Sequence, residues 1–201
     1  MHSVETMLHI LFAVFIIVMT VITVYKKVVT AVKNHSEIQE SIALLRSRLG
    51  KPKNEYCPDQ ILYEKFSEDP ENNDYLTELA YDILDHCDNR QWDIPVYAVK
   101  QLGSNAAGQY VRNDKGSEIK VLIGDNAHDN IIFSVLIHEC MHHFLRTNDI
   151  YFTDSHKNEV LTDTAALYLG FSRYMNRGYI GVGYLRYREL LYAEKMIKAL
   201  P

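Results

Sequence analysis

The feature that most constrains this chain is the stretch Ile137-His138-Glu139-Cys140-Met141-His142-His143. It contains H-E-x-x-H. On a helix, residues four apart lie one turn apart on one face, so His138 and His142 can reach one metal ion. Glu139 follows directly and sits about 100° round the helix, beside the metal rather than on it. Two neutral imidazoles leave zinc strongly Lewis acidic, and a neighbouring carboxylate can take a proton as a water attacks. The flanks Ile131, Ile132, Val135, Leu136, Ile137, Met141, Phe144 and Leu145 are apolar almost all round. Such a helix is buried. Burying two histidines and a glutamate without partners is costly, and a metal supplies the partner. The bland alternatives are a satisfied set of core histidines or a structural zinc.

Two histidines do not complete a catalytic zinc site; a third protein ligand is expected. The extended motif H-E-x-x-H-x-x-G-x-x-H requires glycine at 145 and histidine at 148, where the chain has Leu145 and Asn148. Downstream, Asn158-Glu159-Val160-Leu161-Thr162-Asp163 falls on a helix predicted over 155–176, with Asp154 or Ser155 to cap its start and Arg177-Gly178 to close it. Glu159 and Asp163 are four apart and share a face. This N-E-x-x-x-D resembles the second signature of thermolysin-like gluzincins, and the resemblance covers about residues 138–163. It implies a zinc metallopeptidase with Glu159 as third metal ligand and Asp163 holding His138 through its other ring nitrogen. Ligating histidines nearly always have such an acceptor behind them. Away from this stretch the chain does not match thermolysin, and the gap between His142 and Glu159 is shorter.

The other polar neighbours have ordinary roles available. Cys140 points away from His138 on the helix and reads as a small buried residue. His143 also leaves the metal face. Asp154 and His156 are conceivable ligands, although capping suits Asp154. A transition-state oxyanion needs a donor, and Tyr151, Tyr168, Tyr184, Arg173 and His156 are all candidates.

The chain opens differently. From Met7 to Tyr25 there are 19 residues, of which only His9, Thr20 and Thr23 are not apolar. As a helix the run would be about 28 Å long, so a single-span membrane anchor in contact with the lipid bilayer through residues 7–25 is expected. No basic residue or A-x-A-like site suggests a cleaved leader. Lys26, Lys27 and Lys33 follow the run and none precedes it, so the N-terminus is expected outside and the catalytic domain in the cytoplasm. Cys57, Cys87 and Cys140, odd in number and widely spaced, do not form a secreted disulfide framework. Beyond the span a helix continues to Leu49, with Val28, Val29, Val32, Ile38, Ile42 and Leu45 as a rough apolar stripe suited to pairing with a second copy. Gly50, Lys51 and Pro52 stop it.

Residues 55–93 carry 12 Asp and Glu against Lys65 and Arg90. That acidity reads as a solvated face and argues against a nucleic-acid partner. A helix is predicted over 74–86 on Leu76, Leu79, Ala80, Ile83 and Leu84, preceded by a connecting segment. Residues 94–99 read as a strand, and 109–112 and 118–123 as a hairpin around Asn113-Asp114-Lys115-Gly116, after a turn marked by Gly103, Asn105 and Gly108. A last helix is predicted over 184–200.

The expected fold is α+β: an N-terminal transmembrane helix, then a small zincin-like domain of helices packed on a short mixed or antiparallel sheet. The expected units are an anchor (1–27), a juxtamembrane helix and linker (28–72) and the zincin-like domain (73–201). In the zincin fold an edge strand binds an extended peptide by adding it to the sheet, and 118–123 is the expected edge. The expected function is peptide-bond hydrolysis by a zinc-activated water, with His138, His142 and Glu159 holding Zn2+, Glu139 as general base and a peptide or protein as substrate. The alternatives are a tethered binding or scaffold protein with structural zinc, closed by a fourth ligand such as His156 or Asp154, and hydrolysis of a non-peptide amide.

Overall fold

The computed structural model describes residues 2–89, 94–103, 106–114, 116–124, 127–179 and 182–201, and on the first helix the side chains of Phe12, 14–26 and 33–49. Asn105 and Lys115 of the expected turns lie outside these residues, as do the side chains of Met7, Lys27, Val28, Val29 and Val32. Seven helices and three strands are described, in the order α1 (His2–Leu49), α2 (Gln60–Glu68), α3 (Asn73–His86), β1 (Val96–Val99), β2 (Gly108–Asn113), β3 (Gly116–Leu122), α4 (Asp129–Thr147), α5 (Ser155–Tyr168), α6 (Ser172–Gly178) and α7 (Tyr187–Lys198). The fold is α+β with a mixed sheet.

The transmembrane anchor is corrected by the structure. Among the described residues no helix is long and apolar enough to cross a membrane. The single-pass topology and the cytoplasmic placement that followed from it fall together.

The second half of α1 belongs to the domain rather than to a linker. Ile38, Ile42 and Leu45 recur at helical spacing and are buried. They pack on α5 and α7, so the part of the stripe proposed for a second copy is covered by the chain's own core. Gly50 ends the helix at φ +79°, its N–H returning to the Arg46 carbonyl at 3.0 Å. The following segment is also tied down. Lys53 N–H reaches the Tyr168 carbonyl and Tyr56 N–H the Gly170 carbonyl, each at 3.0 Å. Tyr56 is buried against Phe171, Tyr174 and Phe133. The expected connecting segment also contains α2, which Asp59 caps through Leu62 N–H at 2.9 Å.

The strand order is β1-β3-β2, with β1 parallel and β2 antiparallel to β3. The central strand is therefore β3, where an edge was expected. Parallel pairing of β1 on its far side moves the edge to β2. Ile119 and Val121 face the core, while Glu118 and Lys120 alternate to the other face and pair at 2.8 Å.

The helix expected over 155–176 is two. It breaks after Tyr168, where Gly170 adopts φ +94° and a Cβ would stand 2.0 Å from the Asn54 carbonyl oxygen. α4 runs through the middle of the molecule, buried from Ile132 to Met141 and again from His143 to Leu145. The last helix, α7, starts three residues later than its apolar pattern suggested, at Tyr187, where Glu189 Oε2 accepts the Arg186 N–H at 2.8 Å.

Candidate metal centre

Helix α4 supplies His138, Glu139 and His142; α5 supplies Glu159 and Asp163. The two helices pack side by side, which brings these residues together across 21 positions of sequence between His138 and Glu159. The Nε2 atoms of His138 and His142 are 3.0 Å apart, and Glu159 Oε2 lies 3.4 Å from the first and 3.2 Å from the second. Ligand atoms on a tetrahedron with arms of about 2.0–2.1 Å stand about 3.3 Å from one another, so the three separations fit a small divalent ion. Among the described residues this is the one cluster of its kind, its ligand atoms all within 4.8 Å of each other.

The far nitrogen of each ring is held. His138 Nδ1 lies 2.8 Å from Asp163 Oδ1, and Asp163 is fully buried. His142 Nδ1 lies 3.2 Å from Thr162 Oγ1, whose own proton goes to the Asn158 carbonyl at 2.8 Å. Acceptors at both Nδ1 atoms leave the Nε2 lone pairs for a cation. Without a cation, two lone pairs and a carboxylate would crowd one point. The charges register this. Burial alone would lower the His138 pKa, but Asp163, Glu159 and Glu139 hold its proton up to about 10. Glu159 is partly buried, which works against its charge, yet hydrogen bonds from both imidazoles bring it down to about 2. The site is built to hold positive charge, and a divalent ion would take the place of the proton.

Glu139 is buried and borders the cluster. Its pKa is raised, by burial first; the backbone N–H of Tyr110 and the two histidines act in the opposite direction. The cavity in front of it has a volume of about 520 Å3. One wall is Ala107 with the start of β2, Gly108 to Tyr110; the other carries Tyr179, Val182 and Tyr184. Gly108 allows the close approach of strand and helix: a Cβ there would stand 2.6 Å from both Glu139 Oε1 and Val135 Cγ1.

Of the five residues considered as oxyanion donors, only Tyr184 borders this cavity. Tyr168 donates to the Gly50 carbonyl, Tyr151 lies under the Arg146 guanidinium, and Arg173 faces a separate cavity. His156 is turned to Glu37 at 3.3 Å. Asp154 caps α5 through Lys157 N–H at 2.8 Å. Cys140 is buried among apolar neighbours, and His143 lies against the Tyr110 ring.

Two contributors escaped the sequence reading. Thr162 lies one turn on from Glu159, and its spacing could have suggested it. Tyr179 could not have been suggested. It follows the break after α5, and the turn of α6 returns its hydroxyl to 2.7 Å from His138 Nδ1. Burial first, then Asp163 and Glu139, pushes the Tyr179 phenol far above its ordinary pKa, so it keeps its proton.

Comparison with known proteins found no matching family model, curated protein or solved structure.

Proposed function

We propose that this chain is a zinc-dependent metallopeptidase, its centre similar to that of thermolysin-like gluzincins. The observation that carries the reading is the convergence of His138 Nε2, His142 Nε2 and Glu159 Oε2 beside Glu139, with both Nδ1 atoms tied to acceptors. Zinc held there would act as a Lewis acid toward a water and a substrate carbonyl. Glu139 takes the proton of the attacking water and returns it to the leaving nitrogen. Its raised pKa makes it a stronger base toward the attacking water, while a carboxylic acid stays far more acidic than the leaving amine it protonates. Tyr184, at the cavity rim, is the donor best placed for the developing oxyanion.

Peptide is favoured over other amides by the strand at the cavity. Leu122 N–H bonds the Ala107 carbonyl, so Gly108 and Tyr110 fall in the pairs that are not bonded to β3. Their backbone groups point away from the sheet. Tyr110 N–H is turned to Glu139, and Gly108 offers its N–H and C=O to an extended chain added along the edge. The scaffold alternative needs a fourth protein ligand, and the two residues considered for it, His156 and Asp154, have other partners.

The test is metal content and turnover on the full chain. About one zinc per chain is expected, lost in His138→Ala and His142→Ala. A quenched-fluorescence peptide library should be cleaved by the wild type and not by Glu139→Gln. Full zinc occupancy in both histidine variants overturns the site; cleavage by Glu139→Gln at the wild-type rate overturns the mechanism.

A further inference from the structure

The two imidazoles are held unequally. His142 Nδ1 meets one oxygen, Thr162 Oγ1, at 3.2 Å. His138 Nδ1 meets two: Asp163 Oδ1 at 2.8 Å and the Tyr179 hydroxyl at 2.7 Å. The protons can be placed by exclusion. An ionised carboxylate only accepts. If Tyr179 donated to Nδ1, a bare ring nitrogen would face Asp163 Oδ1 at 2.8 Å, and the ring proton would move to Nε2, opposite the other ligands. If instead His138 Nδ1–H and Tyr179 O–H both donate to Asp163, no two lone pairs oppose around Nδ1 and the carboxylate. The second carboxylate oxygen then accepts Leu185 N–H at 2.8 Å. Three donors thus surround a carboxylate with no exposed surface.

The tyrosine is itself held in place. Its ring lies nearly parallel to the His138 imidazole, 26° between planes with centroids 5.2 Å apart. Gly183 packs against it so closely that a Cβ there would stand 1.7 Å from Tyr179 Cε1. Tyr179 is buried, so bulk water does not compete for its hydroxyl.

We propose that Tyr179 is a positioning residue of the metal centre: its hydroxyl donates to Asp163 and, through Asp163, fixes His138 in the tautomer whose Nε2 faces the cation. The assignment rests on the reading of His138, His142 and Glu159 as zinc ligands. It makes metal affinity depend on a phenol that touches neither metal nor substrate. A buried carboxylate that loses a donor is a poorer acceptor for the imidazole, and partners behind a ligand are typically worth roughly 10–100-fold in affinity.

The experiment is a double-mutant cycle on zinc affinity, read on the full chain by competition with a chelating dye. Tyr179→Phe keeps the ring and removes the hydroxyl. It should weaken zinc binding by about 10–100-fold, as should Asp163→Asn. Because one residue acts through the other, the double variant should bind within about threefold of the weaker single variant. In zinc-loaded protein with 15N-labelled histidine, the His138 Nδ1–H resonance should exchange slowly in the wild type and faster in Tyr179→Phe. Gly183→Ala, which displaces the ring but leaves the tyrosine in the sequence, should weaken binding in the same range and serves if Tyr179→Phe does not fold. Wild-type protein that takes up no zinc overturns the metal reading and this assignment with it. Zinc-binding wild type with unchanged affinity in Tyr179→Phe and Gly183→Ala, or effects that multiply in the double variant, overturns the assignment alone.

Discussion

Glu139 and Glu159 are both carboxylates beside the same two histidines, yet their surroundings shift their pKa values in opposite directions. Burial raises the pKa of Glu139, while hydrogen bonds from both imidazoles bring Glu159 down to about 2. Under the proposed mechanism the first exchanges a proton and the second stays an anion on the metal. Their amide variants should therefore separate cleanly. Glu139→Gln keeps shape and hydrogen bonding but cannot accept a proton, so zinc content should stay near that of the wild type while turnover falls about 10²–10⁴-fold. Glu159→Gln removes a charged ligand oxygen, so zinc should be lost on dialysis at a chelator concentration the wild type withstands. Metal analysis beside peptide turnover checks both. Equal zinc loss in the two variants would contradict the division of roles. The histidines and these carboxylates were legible in the sequence because helical spacing is local information: four residues make one turn wherever the helix lies. Tyr179 was not, because its place against His138 depends on a chain reversal after α5 and on Gly183 yielding space for the ring.

At the level of elements, apolar periodicity carried far for α3, where Leu76, Leu79, Ala80, Ile83 and Leu84 form the buried face. The hairpin of β2 and β3 also lies where the turn residues put it. Pairing between strands distant in sequence was not legible. Nothing in residues 118–123 reports that β1 lies parallel along their far side, so the strand facing the cavity was misassigned. The consequence is chemical, because β2 rather than β3 meets Glu139. Gly108 is the contact point, and it offers a test of the placement. In Gly108→Ala the new methyl would meet Glu139 Oε1 and Val135 Cγ1, both at 2.6 Å from its ideal position. Val135 is fixed on a buried helix, so the carboxylate is the group that moves. A shift near 1 Å in a reacting group costs on the order of 10²-fold in rate. Gly108→Ala should thus lose about that much turnover with zinc content unchanged. Wild-type turnover in this variant would mean that β2 does not approach Glu139 as the structure has it.

For the whole molecule, the question is which stretch of chain makes one cooperative unit. Sequence alone divided it at residue 27, where the expected anchor ended, and at 72, because acidic composition and weak periodicity suggested a linker. Ile38, Ile42, Leu45, Tyr56 and Phe66 all lie within that division and all are buried. Polar contacts repeat the pattern: Asn34 Nδ2 donates to the buried Glu189 Oε1 at 2.8 Å, and Lys157 Nζ pairs with Glu40 Oε2 at 2.6 Å. The described side chains from 14 to 26, in contrast, are exposed. Two truncations separate these regions. Removing residues 1–25 takes away no described core side chain and should leave the melting temperature within a few degrees. Removing 1–50 strips Ile38, Ile42 and Leu45 from α5 and α7. Each deleted apolar side chain costs about 2–5 kcal/mol, and three of them rival the roughly 5–15 kcal/mol that holds a typical domain together. Because α5 carries Glu159 and Asp163, the loss should reach the metal centre as well. The chain 51–201 should show no cooperative melting transition and no stoichiometric zinc, whereas 26–201 should show both. Calorimetry with metal analysis decides it, and a cooperative, zinc-binding 51–201 would mean that α1 leans on the domain without being part of it.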